Sequence, residues 1–403
     1  MELLAPVGNR EMLVAAIEAG CNSVYFGVKE LNMRKNAKSF ELNELKKIVK
    51  YCHSNNVKAY LTVNTIIFEN EHDKVRKILK SAKSAGVNAI ICWDHAVIRL
   101  CNELGLEIHL STQASVANFE TVKFYADLGV KRIVLARELS LKQIKKISEK
   151  IKSDKLYVKI ECFGHGAMCV AISGRCFMSQ FLFCKSANRG DCLQPCRRAY
   201  KIIDFETGDE LKIDNNYVMS AKDLCTVEFL DRLKNAGISA LKIEGRSRSP
   251  EYVKTVVEVY REALDKLDSQ QKLSDESRQK LITKLKTVYN RKFSTGFYMG
   301  LPTAKDFTDL YGSGATEKKR YIGLIKNYFK KVNVAEINVE SESLNVGDRL
   351  MVIGPTTGVK EQIIKSMEIN NRQISKIEKG KNAGIRLDFI ARVNDKVFII
   401  KKE

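Results

Sequence analysis

Proline, tryptophan and histidine are scarce in this chain, whose 403 residues include five prolines, one tryptophan and five histidines. Uncharged apolar stretches fall short of the roughly 18–20 residues that span a bilayer. The first six residues, MELLAP, lack the basic region and apolar run of a signal peptide. These absences predict a soluble, cytoplasmic protein without a membrane partner.

Acidic residues are also in deficit, with 48 Asp and Glu against 68 Lys and Arg and a formal net charge of +20. A hydrophobic content of 44% with 29% charged residues is typical of a folded chain with a large core, not of a disordered one. The positive charge suggests a polyanionic partner such as nucleic acid. A lysine-rich solvated surface without such a partner explains the composition equally well.

One joint recurs along the first 245 residues: a helical segment, a Gly or Asn, and then a short apolar run. Gly20, Gly86, Gly129 and Gly237 are the clearest copies, and a Gly after a helix supplies a left-handed C-cap. Short apolar runs of this kind are typical of buried parallel strands. Eight such runs are present, at Leu3–Ala5, Ser23–Phe26, Ala59–Val63, Ala89–Cys92, Ile108–Leu110, Arg132–Leu135, Tyr157–Ile160 and Ala240–Ile243.

Alternating strands and helices over about 245 residues predict an α/β fold of the (β/α)8 TIM-like barrel type. An open doubly wound sheet is the alternative, although the first βα turn, Pro6-Val7-Gly8-Asn9, has no GxGxxG dinucleotide fingerprint. We predict a catalytic barrel at residues 1–250 with a cysteine-rich insertion after strand seven, at about 162–226. A helical extension at 251–318 and a small all-β barrel at 319–403 would follow.

Cysteine is abundant, with eleven residues, and seven of them lie in the predicted insertion, where Cys162 and Cys184 are ambiguous and the other five are candidate ligands. In a reducing compartment, clustered cysteines indicate metal or redox chemistry more often than disulfides. Their spacing is too irregular for a structural zinc site, whose ligands usually lie two to four residues apart, because only Cys192 and Cys196 have that separation. An iron–sulfur cluster needs four thiolates and no rigid spacing. The five are Cys169, Cys176, Cys192, Cys196 and Cys225.

At these cysteines the sequence resembles peptidase family U32, long labelled collagenase-like proteases. The resemblance lies in ECFGHGAMC at 161–169 and SGRCFMS at 173–179, and it extends to ELLAPVG at 2–8, KIEGR at 242–246 and FSTGF at 293–297. Some members of the family are described as proteases. Others are iron–sulfur proteins that support oxygen-independent hydroxylation of tRNA wobble uridine, of a ribosomal RNA cytidine or of a ubiquinone precursor.

The segment NRGDCLQPCR at 188–197 and the C-terminal β-region are most similar to the tRNA branch, which makes 5-hydroxyuridine and depends on prephenate. The resemblance implies an enzyme of tRNA modification with tRNA as partner, a small dicarboxylate donor, and one 4Fe–4S cluster. An iron–sulfur or redox partner protein is possible. The implied cluster ligands are Cys169, Cys176, Cys192 and Cys225, with Cys196 competing for the fourth place. Hydroxylation of ribosomal RNA and non-catalytic RNA binding are further alternatives.

A peptidase is the main alternative, and the residues bear on it. A cysteine protease needs a thiolate with a His base in reach, and His165 lies close to Cys169 in the sequence. A lone nucleophile leaves the other cysteines without a role. The sequence contains neither an HExxH metalloprotease motif nor a GxSxG nucleophile elbow.

Further candidate site residues follow from the predicted strand ends, since barrel enzymes carry their chemistry there. Arg137 and Arg246 are candidates to clamp the carboxylates of a prephenate-like donor, because guanidinium binds carboxylate bidentately. A structural ion pair between Arg137 and its neighbour Glu138 is the alternative. The predicted catalytic residues are Glu161, His165 and Glu244, and the predicted substrate-binding residues are Asn64, Gln113, Arg137, Glu138, Arg246, Arg197 and Arg198.

Positive charge concentrates in residues 141–200, which carry twelve Lys or Arg and four acids, an excess of eight. Phosphate contacts supply most of the affinity for nucleic acid, and unpaired bases also stack on aromatic side chains. Phe177, Phe181, Phe183 and Tyr200 lie among these cations, where each is either a stacking candidate or part of a loop core.

Overall fold

The computed structural model describes residues 1–35, 39–210, 219–270, 272–370 and 372–403. Eight parallel strands form a closed ring in the order β1-β2-β3-β4-β5-β6-β7-β9, because β9 pairs with both β7 and β1. The TIM-like barrel is therefore confirmed over the open doubly wound sheet. The strands up to residue 294 are β1 Glu2–Pro6, β2 Ser23–Phe26, β3 Lys58–Thr62, β4 Ala89–Cys92, β5 Ile108–Leu110, β6 Arg132–Val134, β7 Lys159–Gly166, β8 Asp223–Cys225, β9 Ala240–Ile243 and β10 Phe293–Ser294.

The joints between helices and strands follow the sequence pattern. Gly20, Gly86, Gly129 and Gly237 have φ values of +88°, +78°, +87° and +84°, the left-handed region in which a glycine carries no Cβ penalty. The helices are α1 Arg10–Glu18, α2 Leu45–Ser54, α3 His72–Ala85, α4 His95–Leu104, α5 Phe119–Asp127, α6 Leu141–Ser153, α7 Met178–Phe183, α8 Leu230–Asn235, α9 Pro250–Gln270 and α10 Asp275–Lys286.

Helix α9 packs against α1, α8 and β1. It therefore occupies the position of the eighth helix of the barrel, although its residues fall in the stretch predicted as a helical extension. Its partner α10 packs on its outer side. The domain boundaries themselves stay a prediction.

Strand β7 is longer than its sequence pattern predicts and continues to Gly166, so its last five residues lie in the predicted insertion. Gly164 makes this possible, because a Cβ at that position would come within 2.5 Å of the Leu241 side chain on β9. A bulge between Phe163 and His165 shifts the register of this pairing. The short strand β8, which the sequence pattern did not reveal, runs antiparallel to the end of β7 and pairs Cys225 with His165.

The C-terminal part is all-β, as predicted, and consists of antiparallel sheets. One has eight strands in the order β15-β14-β20-β11-β12-β19-β16-β17, and the other pairs β13 with β18. The strands are β11 Glu317–Phe329, β12 Val334–Val339, β13 Leu344–Asn345, β14 Arg349–Gly354, β15 Gly358–Ile363, β16 Met367–Ile369, β17 Arg372–Ile374, β18 Lys376–Ile377, β19 Asn382–Arg386 and β20 Lys396–Lys402.

This sheet docks on the barrel through helix α1. Met351 and Val359 pack against Ala15, and the Lys360 Nζ atom lies 2.8 Å from the Glu18 carboxylate. Among the described residues, no helix combines the length and the apolar character needed to cross a bilayer.

Candidate active site

A small cavity lies at the carboxyl end of the barrel strands, where TIM-barrel enzymes carry their chemistry. Its volume is about 30 Å³, room for a few water molecules. The walls come from strand ends, and residues 33–34 and 173 cover them. The lining includes Tyr25, Met33, Arg34, Thr62, Asn64, Gln113, Arg137, Phe163, Ser173, Lys242, Glu244 and Arg246.

Positive charge dominates this cavity. Four of the cavity residues are cationic, and Glu244 is the one acid among those that line it. The Arg34 Nε atom lies 3.5 Å from the Glu244 carboxylate. Burial alone would raise the pKa of Glu244, but Arg34, Arg246 and Arg137 outweigh it and hold that pKa below its usual value. Glu244 is therefore ionised at neutral pH, and the cations still outnumber it.

The two predicted clamp residues both line the cavity. Arg246 donates to Thr62 Oγ1 at 2.9 Å, and Arg137 donates to the carbonyl oxygen of Ala167 at 2.9 Å with its guanidinium 3.8 Å from the centre of the Phe163 ring. In the described part of the chain, the buried Nε atoms of both arginines have no hydrogen-bond partner. Each guanidinium can therefore still donate a hydrogen bond to a ligand.

The two predicted amide residues hold the segments that cover the cavity. Asn64 Oδ1 accepts a hydrogen bond from the backbone N–H of Met33 at 3.2 Å. Gln113 Nε2 donates to the carbonyl oxygen of Ser173 at 3.4 Å, and Arg175 donates to the carbonyl oxygen of Gln113 at 3.1 Å. The hydrogen bonds of Asn64 and Gln113 would therefore break if the segments that contain Met33 and Ser173 moved away from the cavity.

A buried charge network lies below the cavity and contains the predicted catalytic residue Glu161. Its carboxylate is 2.8 Å from Lys242 Nζ and 3.2 Å from Arg132 Nη1, and Arg132 also lies 2.6 Å from the Glu2 carboxylate. Glu161 is fully buried. Burial would raise its pKa, but Lys242 and Arg132 outweigh it and lower that pKa. Of this network, Lys242 is the member that reaches the cavity wall.

The other predicted proton carrier, His165, lies outside the cavity. The bulge in β7 turns its ring away from the barrel interior and towards α9, where Tyr260 Oη is 3.3 Å from His165 Nδ1. Burial, assisted by the charge of Arg248, lowers the pKa of His165 to about 3. The imidazole is therefore neutral at physiological pH and packs among Tyr252, Tyr260 and Phe293.

The cysteines of the insertion do not share one environment. Burial raises the pKa of Cys196, Arg197 opposes this, and charge on Cys169 and Cys192 raises it further, so these three sulfurs act on one another. Cys225 lies instead in the core, with its Sγ atom 3.9 Å from Tyr260 Oη. Burial raises the pKa of Cys225 to about 12.

Another predicted ligand, Cys176, is fixed by its own loop. Its backbone N–H donates to Asn188 Oδ1 at 3.1 Å, and its Sγ atom accepts from the backbone N–H of Met178 at 3.4 Å. Within the described ranges, no three His, Cys, Asp or Glu side chains form a group that could hold a metal ion.

The chemistry of the donors nevertheless suits an iron–sulfur cluster, whose iron is held by cysteine thiolates. Arg34, Arg137 and Arg197 lie within electrostatic range of Cys169, so positive charge lies beside this candidate ligand. Cys196 and Cys225 both remain candidates for the fourth ligand position.

The remaining predicted residues lie away from the cavity lining. Arg197 donates to the carbonyl oxygens of Ala221, at 2.8 Å, and of Met168, and so ties two parts of the insertion together. Arg198 is exposed, and Glu138 is exposed as well. The alternative ion pair between Arg137 and Glu138 is not formed among the described residues.

Sequence reasoning missed three cations at the site, namely Arg34, Arg132 and Lys242. A signal was present for two of them, since Lys242 and Arg132 interrupt apolar runs that are predicted to be buried strands. A buried charge requires an opposite charge nearby. Glu161, at the end of a third such run, is the partner that this argument would have found. Arg34 follows no strand pattern and had no such signal.

Comparisons with known proteins agree with this architecture. Residues 8–308 match Peptidase family U32. A protein described as an uncharacterised protease from Methanocaldococcus jannaschii is 44% identical over 407 residues, covering 100% of this chain and 98% of that protein. A collagenase from Porphyromonas gingivalis strain W83 is 41% identical, covering 100% of this chain and 98% of its own.

The same family includes proteins named for RNA hydroxylation. The tRNA hydroxylation protein P1 of Bacillus subtilis is 33% identical over 361 residues, covering 88% of this chain and 83% of that protein. These three relatives are named as a protease, a collagenase and a tRNA hydroxylation protein. This chain, with its closed barrel and its matching residues 8–308, belongs to peptidase family U32.

Proposed function

We propose that this protein is an enzyme that hydroxylates the wobble uridine of tRNA at C5, with a 4Fe–4S cluster and a small dicarboxylate donor of the prephenate type. The likeness to the tRNA hydroxylation protein of Bacillus subtilis over most of both chains supports this choice of substrate. A base in an anticodon loop is unpaired or readily extruded, so it can enter a barrel without the melting of a helix.

The excess of cations over Glu244 in the cavity is the observation that carries the proposal. Buried positive charge without a partner is costly, and the energy falls when an anionic ligand neutralises it. A dicarboxylate offers two charges to the free donor positions of Arg137 and Arg246. An extended peptide bond carries no such charge and would leave these cations unpaired.

Access to the cavity requires movement of its cover. Its volume of about 30 Å³ holds a few waters but neither a nucleobase nor a dicarboxylate. Ser173 and Met33 close the space; the Ser173 carbonyl oxygen accepts a hydrogen bond from Gln113, and the Met33 N–H donates one to Asn64. Release of these bonds would admit the donor and the base, and their re-formation would exclude water from the reaction.

Within the closed cavity the chain's own residues have separate tasks. Arg137 and Arg246 orient the donor, and ionised Glu244 holds Arg34 in position. Lys242 is a candidate to move a proton at Nζ, because burial lowers its pKa while Glu161 accepts from the same atom. A cluster bound by Cys169, Cys176, Cys192 and either Cys196 or Cys225 would supply one-electron redox chemistry or a rigid clamp for the insertion.

The peptidase alternative rests on the names of the Methanocaldococcus and Porphyromonas relatives. The geometry gives it less support. His165, the histidine nearest in sequence to a cysteine of the motif, has a pKa of about 3 and contacts Tyr260. The thiol of Cys225 has a pKa of about 12 and is protonated at neutral pH. An activated Cys–His pair needs a thiol whose pKa is lowered, whereas the pKa of this thiol is raised.

The test is mass spectrometry of tRNA nucleosides from a strain that lacks this gene and its paralogues. Complementation with the wild-type gene should restore 5-hydroxyuridine-derived modification, and Arg246→Ala should not. Loss of a charged hydrogen bond costs about 1.5–3 kcal/mol, or roughly ten- to a hundred-fold in donor affinity. Arg320→Ala, an exposed position on β11, is the matched control and should complement.

Normal modification in the deletion strain would overturn the proposal. Cleavage of a denatured protein by the purified, cluster-free protein would then favour the peptidase.

A further inference from the structure

The first turn of helix α7 in the cysteine-rich insertion, with its N-cap residue Phe177, exposes two phenylalanines and buries a serine. Phe177 and Phe181 are 62% and 80% exposed, whereas Ser179 is 1% exposed. Ser179 Oγ accepts a hydrogen bond from the backbone N–H of Leu193 at 3.0 Å, which fixes the helix with this face inward. Aromatic side chains are usually buried and serine is usually exposed, whereas here the reverse holds, so the aromatic face is available for contact.

The two phenylalanines act as one surface. They lie one helical turn apart, where side chains at i and i+4 share a face. Their ring centroids are 5.9 Å apart and the rings are inclined by 25°. Two near-parallel, solvent-exposed rings present the π-face on which nucleic-acid bases stack.

Positive charge borders this pair. Arg198 is exposed, with its guanidinium 4.8 Å from the centre of the Phe183 ring, and Lys185, two residues after the end of α7, is exposed as well. Neither cation has an ion-pair partner within the described ranges. Exposed cations beside exposed aromatic rings match the composition of single-strand binding surfaces, where cations contact phosphate and rings contact bases.

The pair also lies next to the cavity. Ser173 covers the cavity through its contact with Gln113, and Phe177 follows four residues later, a span of at most about 14 Å. A strand of RNA that places one base in the cavity therefore has a nearby nucleotide within reach of α7.

We propose that Phe177 and Phe181 form a stacking platform for an unpaired RNA base that neighbours the modified uridine. This inference rests on the proposed function and specifies how the same site holds its RNA. The platform selects single-stranded loops over duplex, because bases inside a helix have no free face.

The test measures binding of the wild-type protein and its variants to a fluorescent anticodon stem–loop, by anisotropy across a range of salt concentrations. The double variant Phe177→Ala/Phe181→Ala should bind roughly 5- to 150-fold more weakly, since one stacked base is worth about 1–3 kcal/mol. The dependence of affinity on salt should not change, because no charge is removed. Arg198→Glu should instead flatten the log–log salt slope by about 0.7 for each phosphate that the variant no longer binds.

Two further variants separate stacking from folding. Phe329→Ala removes a phenylalanine that is 48% exposed on the C-terminal sheet, and it should leave affinity unchanged. Phe181→Trp should retain binding, and its added fluorescence should be quenched by the stem–loop.

The measurements distinguish failure of the stacking platform from failure of the proposed function. If the wild type binds the stem–loop but the double variant binds equally well, the platform is refuted and the proposed function stands. If the wild type fails to bind any tRNA even at low salt, the proposed function itself is refuted. A change of oligomeric state in the double variant, with RNA affinity intact, would assign the face to a second copy of the chain and would also refute the platform.

Discussion

Replacing either Glu161 or Lys242 alone should lower the free energy of unfolding by more than their ion pair itself contributes. Glu161 is fully buried and its carboxylate contacts Lys242 at 2.8 Å and Arg132 at 3.2 Å. Glu161→Gln removes the one carboxylate that contacts Lys242 among the described residues, and we expect a cost of about 3–5 kcal/mol for an uncompensated buried charge. Lys242→Met leaves Glu161 with Arg132, so its cost should be about 1.5–3 kcal/mol.

The double variant Glu161→Gln/Lys242→Met should cost less than the sum of the two, with a coupling energy on the order of 2 kcal/mol. The reason is that the second substitution removes a charge that the first has already left without its partner. Lys360→Met is the matched control, because it breaks an ion pair with Glu18 on the surface at a similar N–O distance of 2.8 Å. Exposed pairs contribute about 0–1 kcal/mol.

Urea unfolding followed by tryptophan fluorescence provides the assay. Trp93 is the one tryptophan of the chain, and its Nε1 atom donates to the carbonyl oxygen of Asn64 beside the cavity at 2.9 Å. Its signal therefore reports on the barrel rather than on the C-terminal sheets. Additive free energies within about 0.5 kcal/mol, or a Lys242→Met cost no larger than that of Lys360→Met, would refute the reasoning.

Two other predictions concern acid stability and the cluster. Burial lowers the pKa of His165 to about 3, so on acidification the unfolded chain protonates this residue near pH 6.5 while the folded chain does not. The free energy of unfolding should therefore decrease as the pH is lowered from 6.5 towards 3, by about 2 kcal/mol at pH 5. His165→Gln should remove that part of the pH dependence in urea titrations, and an unchanged pH slope would contradict the assignment. Anaerobic protein should carry roughly four irons and four sulfides per chain, and Cys169→Ala, Cys176→Ala and Cys192→Ala should each abolish them while Cys52→Ala does not. Stoichiometric zinc without sulfide would exclude the cluster, and the same measurement on Cys196→Ala and Cys225→Ala identifies the fourth ligand.

The sequence predicted the barrel well, because its signals are local. The turn glycines such as Gly86 act on the residues beside them, and the apolar runs need only a general hydrophobic neighbour to become strands. Arg246 and Gln113 were predicted from an equally local signal, since each lies three residues after the end of a strand, and both line the cavity.

The position of His165 outside the cavity comes from long-range pairing. A regular strand would place Glu161, Phe163 and His165 on one face. The bulge at Gly164, which depends on Leu241 of a distant strand, reverses this for His165. The carboxylate that contacts Lys242, that of Glu161, is equally remote in sequence. The local pattern shows Lys242 only as a charge inside an apolar run and does not identify its partner.

The closure of the ring between β1 and β9 has a consequence for the order of folding during synthesis. Leu3 pairs with Leu241 across this seam, so the first strand must wait for the last one to be made. At about 5–20 residues per second the delay is on the order of 12–50 s. During that time the growing sheet has an unpaired apolar edge, which is a template for association with other chains. The nascent chain is thus more vulnerable to aggregation than the finished barrel, and slower translation lengthens its exposure.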